Sequence, residues 1–385
     1  MTKPEKKGWK GRLSSGLISG LMVILAGVAA GGALLQSAMA ADKPVTLNVY
    51  NWNDYIGENT LRDFTRETGI RIRYDVYDSL ELLEQKLLAG KSRYDIAVPT
   101  AEPSLSRLIQ AGALMKLDRG QIPNLANLDP QLMRALEASD PGNQYAAIYL
   151  WGTVGLGMLP DKVKAALPDA PLDSWDLLFK PENAAQLKSC GITIMDSAID
   201  VIPTVLNYLG LDPNSENPED LARVEQTLMA IRPYVRNFVT GQTITNLAAG
   251  DTCLAMGYSG DVLQARDRAL EGKSRKRTVD YVSPKEGVQL WFDTLVIPSA
   301  SANPEAAHIF INYLLRPDVM AGITNAVHYA NAVPGSLPLV AENVRKDTDV
   351  FPSAEAISRM FTVRAIRPEV ERARTRIWTR IKTGK

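Results

Sequence analysis

TLNVYNWNDYIGENTLRDFTRETGIRIRYDVY, residues Thr46 to Tyr77, changes its hydrophobic period twice. Val45 to Tyr50 alternates apolar and polar side chains with period two, as a strand with one buried face does. Glu58 to Thr68 takes up the wider spacing of an amphipathic helix, Gly69 is a helix stop, and Ile70 to Tyr77 returns to strand. The same alternation continues downstream. Ser79 caps a helix running to Ala89, with Leu80, Leu83 and Leu87 on one face, and Tyr94 to Val98 is a strand that runs into Pro99. Strand, helix, strand, helix, strand predicts an α/β fold built on a parallel sheet with right-handed crossovers.

Further along, Tyr145 to Met158 is extended and interrupted by Gly152, Gly155 and Gly157, which reads as too long for one central strand and suited to crossing between domains. Thr278 to Pro298, with L-W-F-D-T-L-V-I-P, is a second such stretch, so two crossings would form a hinge. Helices are expected at Pro304 to Leu315 and Glu369 to Ile381. A mature chain of about 345 residues is long for one core and predicts two domains. The expected division puts residues 41–148 plus about 281–330 in a first α/β lobe, and 149–280 plus about 331–385 in a second.

The first forty residues carry the marks of an export signal. Lys3, Lys6, Lys7, Lys10 and Arg12 precede an apolar run from Leu17 to Leu35, and Ala38-Met39-Ala40 is an A-x-A cleavage step. The rival reading is an uncleaved membrane anchor, against which the Gly and Ala content and the A-x-A step argue. The whole chain has 43 Lys and Arg against 43 Asp and Glu; removing the five basic and one acidic residues of residues 1–40 leaves 38 against 42, about −4. Such a surface offers no field for nucleic acid. Cys190 and Cys253 are the only cysteines; in an oxidising compartment a disulfide is expected ahead of two buried thiols.

Enzyme signatures are missing. Gly155-Leu156-Gly157 continues into Met-Leu-Pro rather than opening a helix, Gly257-Tyr258-Ser259-Gly260 lacks nucleophile-elbow spacing, and there is no phosphate-loop lysine motif, H-E-x-x-H or C-x-x-C. His308 and His328 are the only histidines. His308 falls in a helical pattern as a satisfied, partly buried side chain; His328 beside Tyr329 would suit ferric iron only with further oxygen donors. No metal and no cofactor is expected.

What recurs instead is an aromatic beside a carboxylate: Trp52 and Tyr55 around Asp54, Tyr258 before Asp261, Trp291 before Asp293. Aromatic faces attract alkylammonium groups by roughly 0.5–2 kcal/mol, and a carboxylate adds a charge-assisted hydrogen bond to the same head. The combination predicts an organic cation as ligand.

Over nearly its whole mature length the chain resembles the periplasmic putrescine- and spermidine-binding proteins of bacterial polyamine importers. The segments that carry the resemblance include V-Y-N-W-N-D-Y-I, Y-D-I-A-V-P-T, L-W-G-T-V-G-L-G, V-L-N-Y-L-G-L-D-P-N, Y-S-G-D-V, I-N-Y-L-L-R-P-D-V, H-Y-A-N-A and W-T-R-I-K-T-G-K. The resemblance implies a two-lobed solute-binding fold of the type II kind with two hinge-crossing segments, and a non-enzymatic, monomeric receptor that delivers a polyamine to the permease of an ABC importer. It implies ligand-facing positions at Trp52, Asn53, Asp54, Tyr55, Thr100, Asp200, Tyr258, Asp261, Trp291, Asp293 and Tyr329, and a disulfide between Cys190 and Cys253. Aromatics would box the methylene chain while Asp261 and Asp293 take the ammonium heads.

Against the family pattern, Asn53 and Thr100 stand where serine or threonine, and serine, are usual; Tyr258 replaces a frequent tryptophan and Asp200 a frequent glutamate. Phe238 to Gln242 lacks an expected serine pair. Glu102 adds a carboxylate to the site where relatives carry a neutral residue, and with Trp291 in place of phenylalanine it leans the expected ligand toward a triamine. Readings of other classes are a receptor for another organic cation, a polyamine sensor, or an exported amine-processing enzyme.

Overall fold

The computed structural model describes residues 45–90, 92–271 and 277–384, and the expected leader lies outside the described residues. The described strands are β1 (Thr46–Trp52), β2 (Arg71–Tyr77), β3 (Ile96–Ala97), β4 (Leu114–Met115), β5 (Ala146–Met158), β6 (Ile192–Ile194), β7 (Asn237–Phe238), β8 (Leu254–Tyr258), β9 (Asp280–Val282), β10 (Gln289–Pro298) and β11 (Ala330–Asn331). Hydrogen bonding orders them β2-β1-β3-β10-β5-β8-β6-β7, with β9 and β11 on β5 and β4 on β10.

The opening sequence folds as its periodicity dictates. In helix Thr60–Thr68, Thr60 and Phe64 are the buried i, i+4 pair, and Gly69 closes the helix in the left-handed region with its N–H on the Thr65 carbonyl. The Ser79 hydroxyl accepts the Leu82 N–H at 3.3 Å to cap helix Leu80–Leu88, which buries Leu80, Leu83 and Leu87. β1 lies between β2 and β3 and is parallel to both. Parallel pairing recurs at β6, between β7 and β8.

The two parallel blocks are joined by β5 and β10, which run antiparallel to each other and to the strands they meet. Tyr145 to Met158, expected to be too long for one central strand and suited to crossing, is a single strand after Tyr145 that runs from one block into the other. Its length serves two neighbours in series: residues 146–154 pair with β10 and residues 154–158 with β8. Thr278 to Pro298, by contrast, is split into β9 and β10 by a turn in which the Gly287 N–H bonds the Pro284 carbonyl. Near Asp293 the β10–β5 register shifts, a local irregularity that re-aims a side chain.

Helix Pro317–Val327 packs on helix Thr60–Thr68, and the last helix, Pro368–Thr383, packs on helices Ala198–Tyr208 and Pro218–Ile231. Cys190 and Cys253 form a disulfide with Cα atoms 5.5 Å apart, tying the segment after helix Pro181–Leu187 to the start of β8. His308 is more deeply buried than expected and fully satisfied: Nε2 accepts the Asp118 N–H at 2.9 Å and Nδ1 meets the Pro304 carbonyl at 2.7 Å.

Candidate functional site

All twelve residues singled out in the sequence line one cavity of about 690 Å³, measured to its open mouth. They arrive from six places: the end of β1 with the loop after it, the segment after β3, the start of helix Ala198–Tyr208, the junction of β8 with helix Ser259–Glu271, β10, and the residue just before β11.

After β1 the chain turns sharply. Asn51 is buried; its Oδ1 accepts the Trp52 N–H at 2.8 Å and its Nδ2 donates to the Tyr55 carbonyl at 3.2 Å. This amide bracket lets Asp54 adopt a positive φ of 50° and sets Trp52 and Tyr55 into the cavity wall. Asp54 itself sits at the rim, accepting from Asn53 Nδ2 at 2.7 Å and pairing with Arg268 at 3.1 Å.

The aromatic wall is an edge-to-face box. Tyr258 meets Trp291 at 5.5 Å between ring centroids, Trp291 meets Tyr329 at 5.3 Å, and Tyr329 meets Tyr55 at 5.2 Å, with interplanar angles of 76°, 65° and 69°. Glycine makes the box possible. A Cβ at Gly152 would lie 2.8 Å from the Trp291 ring and 2.9 Å from Tyr329, and one at Gly260 would lie 2.4 Å from Tyr329. The glycines that seemed to interrupt the crossing strand therefore include one that admits the cavity's rings.

Three carboxyls of the lining are raised by desolvation. Asp293, 3 % exposed, accepts from Thr100 Oγ1 at 2.6 Å, and burial pushes it up to about 7. Asp261, in the first turn of helix Ser259–Glu271, accepts from Tyr329 Oη at 2.8 Å and is likewise pushed up to about 7 by desolvation. Asp200, 4 % exposed, takes hydrogen bonds from Ser197 Oγ at 2.5 Å, Tyr258 Oη at 2.9 Å and Gln289 Nε2 at 2.9 Å. Burial raises it above the ordinary carboxylate range despite those donors. Among the described residues the lining contains no lysine, arginine or histidine; Arg268, which pairs with Asp54 at the rim, offsets Asp261 only in part, and burial still dominates.

Glu102 reaches the cavity, but both its oxygens already have partners: Ser106 Oγ at 2.5 Å and the Ala365 N–H at 3.0 Å. Its carboxylate ties the segment after β3 to the stretch before the last helix.

Sequence reasoning missed Tyr77, Asp78, Leu80, Ile199, Thr240, Gly241, Ile244 and Gln289, all of which also line the cavity. For Gln289 a signal existed. Residues 289, 291 and 293 alternate along β10 and so share one face, and two of the three had been marked. Among the described residues no group of His, Cys, Asp and Glu is arranged to hold a metal ion.

Two α/β blocks linked by paired long strands, with a small acidic and aromatic slot lined from both blocks, define a solute receptor. The chain belongs to the bacterial extracellular solute-binding protein family, whose model matches residues 59–352. It is 49% identical over 355 residues to the putrescine-binding periplasmic protein SpuD of Pseudomonas aeruginosa, covering 92% of this chain and 96% of that one. It is 44% identical over 365 residues to the putrescine-binding periplasmic protein PotF of Escherichia coli, covering 94% and 98%. The solved spermidine/putrescine ABC transporter substrate-binding protein PotD from Streptococcus pneumoniae superposes with a TM-score of 0.70 at 27% identity, over 88% of this chain and 99% of that one.

Proposed function

We propose that this chain is an extracytoplasmic receptor that binds a polyamine, putrescine or spermidine, and hands it to the permease of an ABC importer. The observation that carries the reading is the trio Asp200, Asp261 and Asp293: desolvated carboxyls behind an aromatic box, with no basic side chain on the wall among the described residues. A dication supplies the charge they lack, and its methylenes fill the space between the rings. The relatives' names, putrescine-binding periplasmic proteins, point the same way.

The chain acts as a monomer and performs no chemistry on its ligand. Export is by the N-terminal signal, and the two lobes divide as 41–148 plus about 281–330 and 149–280 plus about 331–385. The contacts of helix Pro317–Val327 with helix Thr60–Thr68, and of the last helix with Ala198–Tyr208, support that division. A ligand touching both lobes favours closure by its differential affinity for the closed form.

Isothermal titration with putrescine and spermidine at pH 8, followed by analysis of the amine after overnight incubation, tests the reading. Saturable binding with unchanged amine is expected. Absence of binding by either amine, or conversion of the amine, overturns it.

A further inference from the structure

Gln289 opens β10 and is 1 % exposed. Its backbone is fixed on both sides: it pairs with Val154 of β5 and bridges to Phe361, where the Leu290 N–H bonds the Phe361 carbonyl and the Phe361 N–H bonds the Val288 carbonyl. Its side chain lines the slot, and its Nε2 donates to Asp200 Oδ1 at 2.9 Å. Its Oε1 is buried and has no hydrogen-bond partner. A buried carbonyl oxygen without a donor is costly, and one held rigidly on the wall of a binding slot calls for a donor from the ligand.

The hydrogen bonds at Asp200 locate that donor's place. Oδ2 accepts from both Ser197 and Tyr258, which fills its two lone pairs, while Oδ1 accepts only from Gln289. The free acceptor capacity at this end of the slot is therefore one lone pair on Asp200 Oδ1 and two on Gln289 Oε1. A protonated amine, which has donors and no acceptors, matches that set; a hydroxyl or amide would bring an unneeded acceptor. We infer that Gln289 is a ligand-contacting residue, its Oε1 accepting an N–H of the bound polyamine beside Asp200. The inference rests on the polyamine reading above. It adds a neutral acceptor to the carboxylate stations at Asp261 and Asp293, so that the slot presents three places for nitrogen.

The test is a pair of variants titrated with putrescine and with spermidine at pH 8. Gln289→Met and Gln289→Glu both lose the amide donor to Asp200, but only Gln289→Glu keeps an acceptor oxygen at the position. Direct contact predicts at least a tenfold loss of affinity in Gln289→Met, for whichever amine places an N–H there, and at least threefold tighter binding by Gln289→Glu than by Gln289→Met. Equal losses in the two variants would mean that Gln289 acts only by positioning Asp200, and would overturn the inference. Wild-type protein that binds neither amine is the separate failure of the receptor reading. A crystal structure of the wild-type complex keeps the inference testable even if a variant misfolds: an amine nitrogen within hydrogen-bond distance of Gln289 Oε1 is expected, and a slot in which none lies there refutes it.

Discussion

Asp293→Asn separates what the buried carboxyl does for the ligand from what it costs the empty protein. The side chain is 3 % exposed, its Oδ1 is held by Thr100, and burial puts its folded-state pKa near 7. The unfolded chain loses this proton near pH 4. Between about pH 4 and pH 7 the folded form therefore holds a proton that the unfolded form has released, so wild-type stability falls as pH rises through that window and stays lower above it. Three pH units correspond to about 4 kcal/mol at most. Asparagine keeps the shape and can still accept from Thr100, but it does not titrate. The ligand-free variant is thus expected to be more stable than wild type at pH 8 by on the order of 1–4 kcal/mol, and to lose that advantage at pH 4. Polyamine affinity moves the other way, falling by roughly 2–5 kcal/mol because a desolvated ammonium loses its counter-charge and meets an amide donor. Urea unfolding at pH 4 and pH 8 without ligand, with calorimetric titration at pH 8, measures both. An Asn variant that binds as wild type does, or whose stability tracks wild type at both pH values, refutes the reasoning.

Polyamine binding itself should weaken on acidification, since the amine stays protonated while Asp261 and Asp293 take up protons below about pH 7; each carboxyl held near that value contributes about a thirtyfold loss between pH 8 and pH 5.5, and titrations that give one affinity across this range would contradict the site's electrostatics. The denatured, unreduced protein should give no free thiol, and reduction of the Cys190–Cys253 bridge should cost roughly 3–5 kcal/mol of stability in the chain-entropy view; unfolding curves that coincide with and without reductant would remove that role. Glu102→Gln should leave the ratio of spermidine to putrescine affinity within about threefold of wild type, since its carboxylate acts as a tie between Ser106 and the Ala365 N–H; a shift of about tenfold or more, 1.4 kcal/mol, would return Glu102 to the ligand as an amine contact.

The parts of the fold set by local periodicity were legible in the sequence. Phe64 and Leu83 are buried because their helices are amphipathic in sequence, and Gly69 ends its helix for a reason visible in one residue. The site's charged and aromatic members were legible too, because a carboxylate beside an aromatic at a segment end is unusual enough to mark. What escaped depends on distant partners. The continuity of β5 is fixed by β10 and β8, more than 95 residues downstream. The occupation of Glu102 is fixed by a backbone N–H 263 residues away. Gln289 carries no charge, so composition never singled it out; its meaning comes from the orphaned oxygen that burial leaves on it.

Magnitudes decide which charges select the ligand. The Asp54–Arg268 pair at the rim is 3.1 Å long with side chains 36 % and 45 % exposed, and pairs of that kind contribute about 0–1 kcal/mol. A contribution of that size is too little to choose a solute. Asp261 and Asp293 differ because burial penalises their charged forms more than the hydrogen bonds from Tyr329 and Thr100 favour them, and among the described residues no lysine, arginine or histidine lines the wall. Above pH 7 the slot therefore carries a desolvated negative charge that a cationic ligand neutralises. A neutral solute of the same shape gains the aromatic box but leaves that penalty in place, whereas a dication removes it at two stations at once. Discrimination thus comes as much from the desolvated charge of the carboxylates as from the aromatic walls, and it rises with each nitrogen that finds a carboxylate.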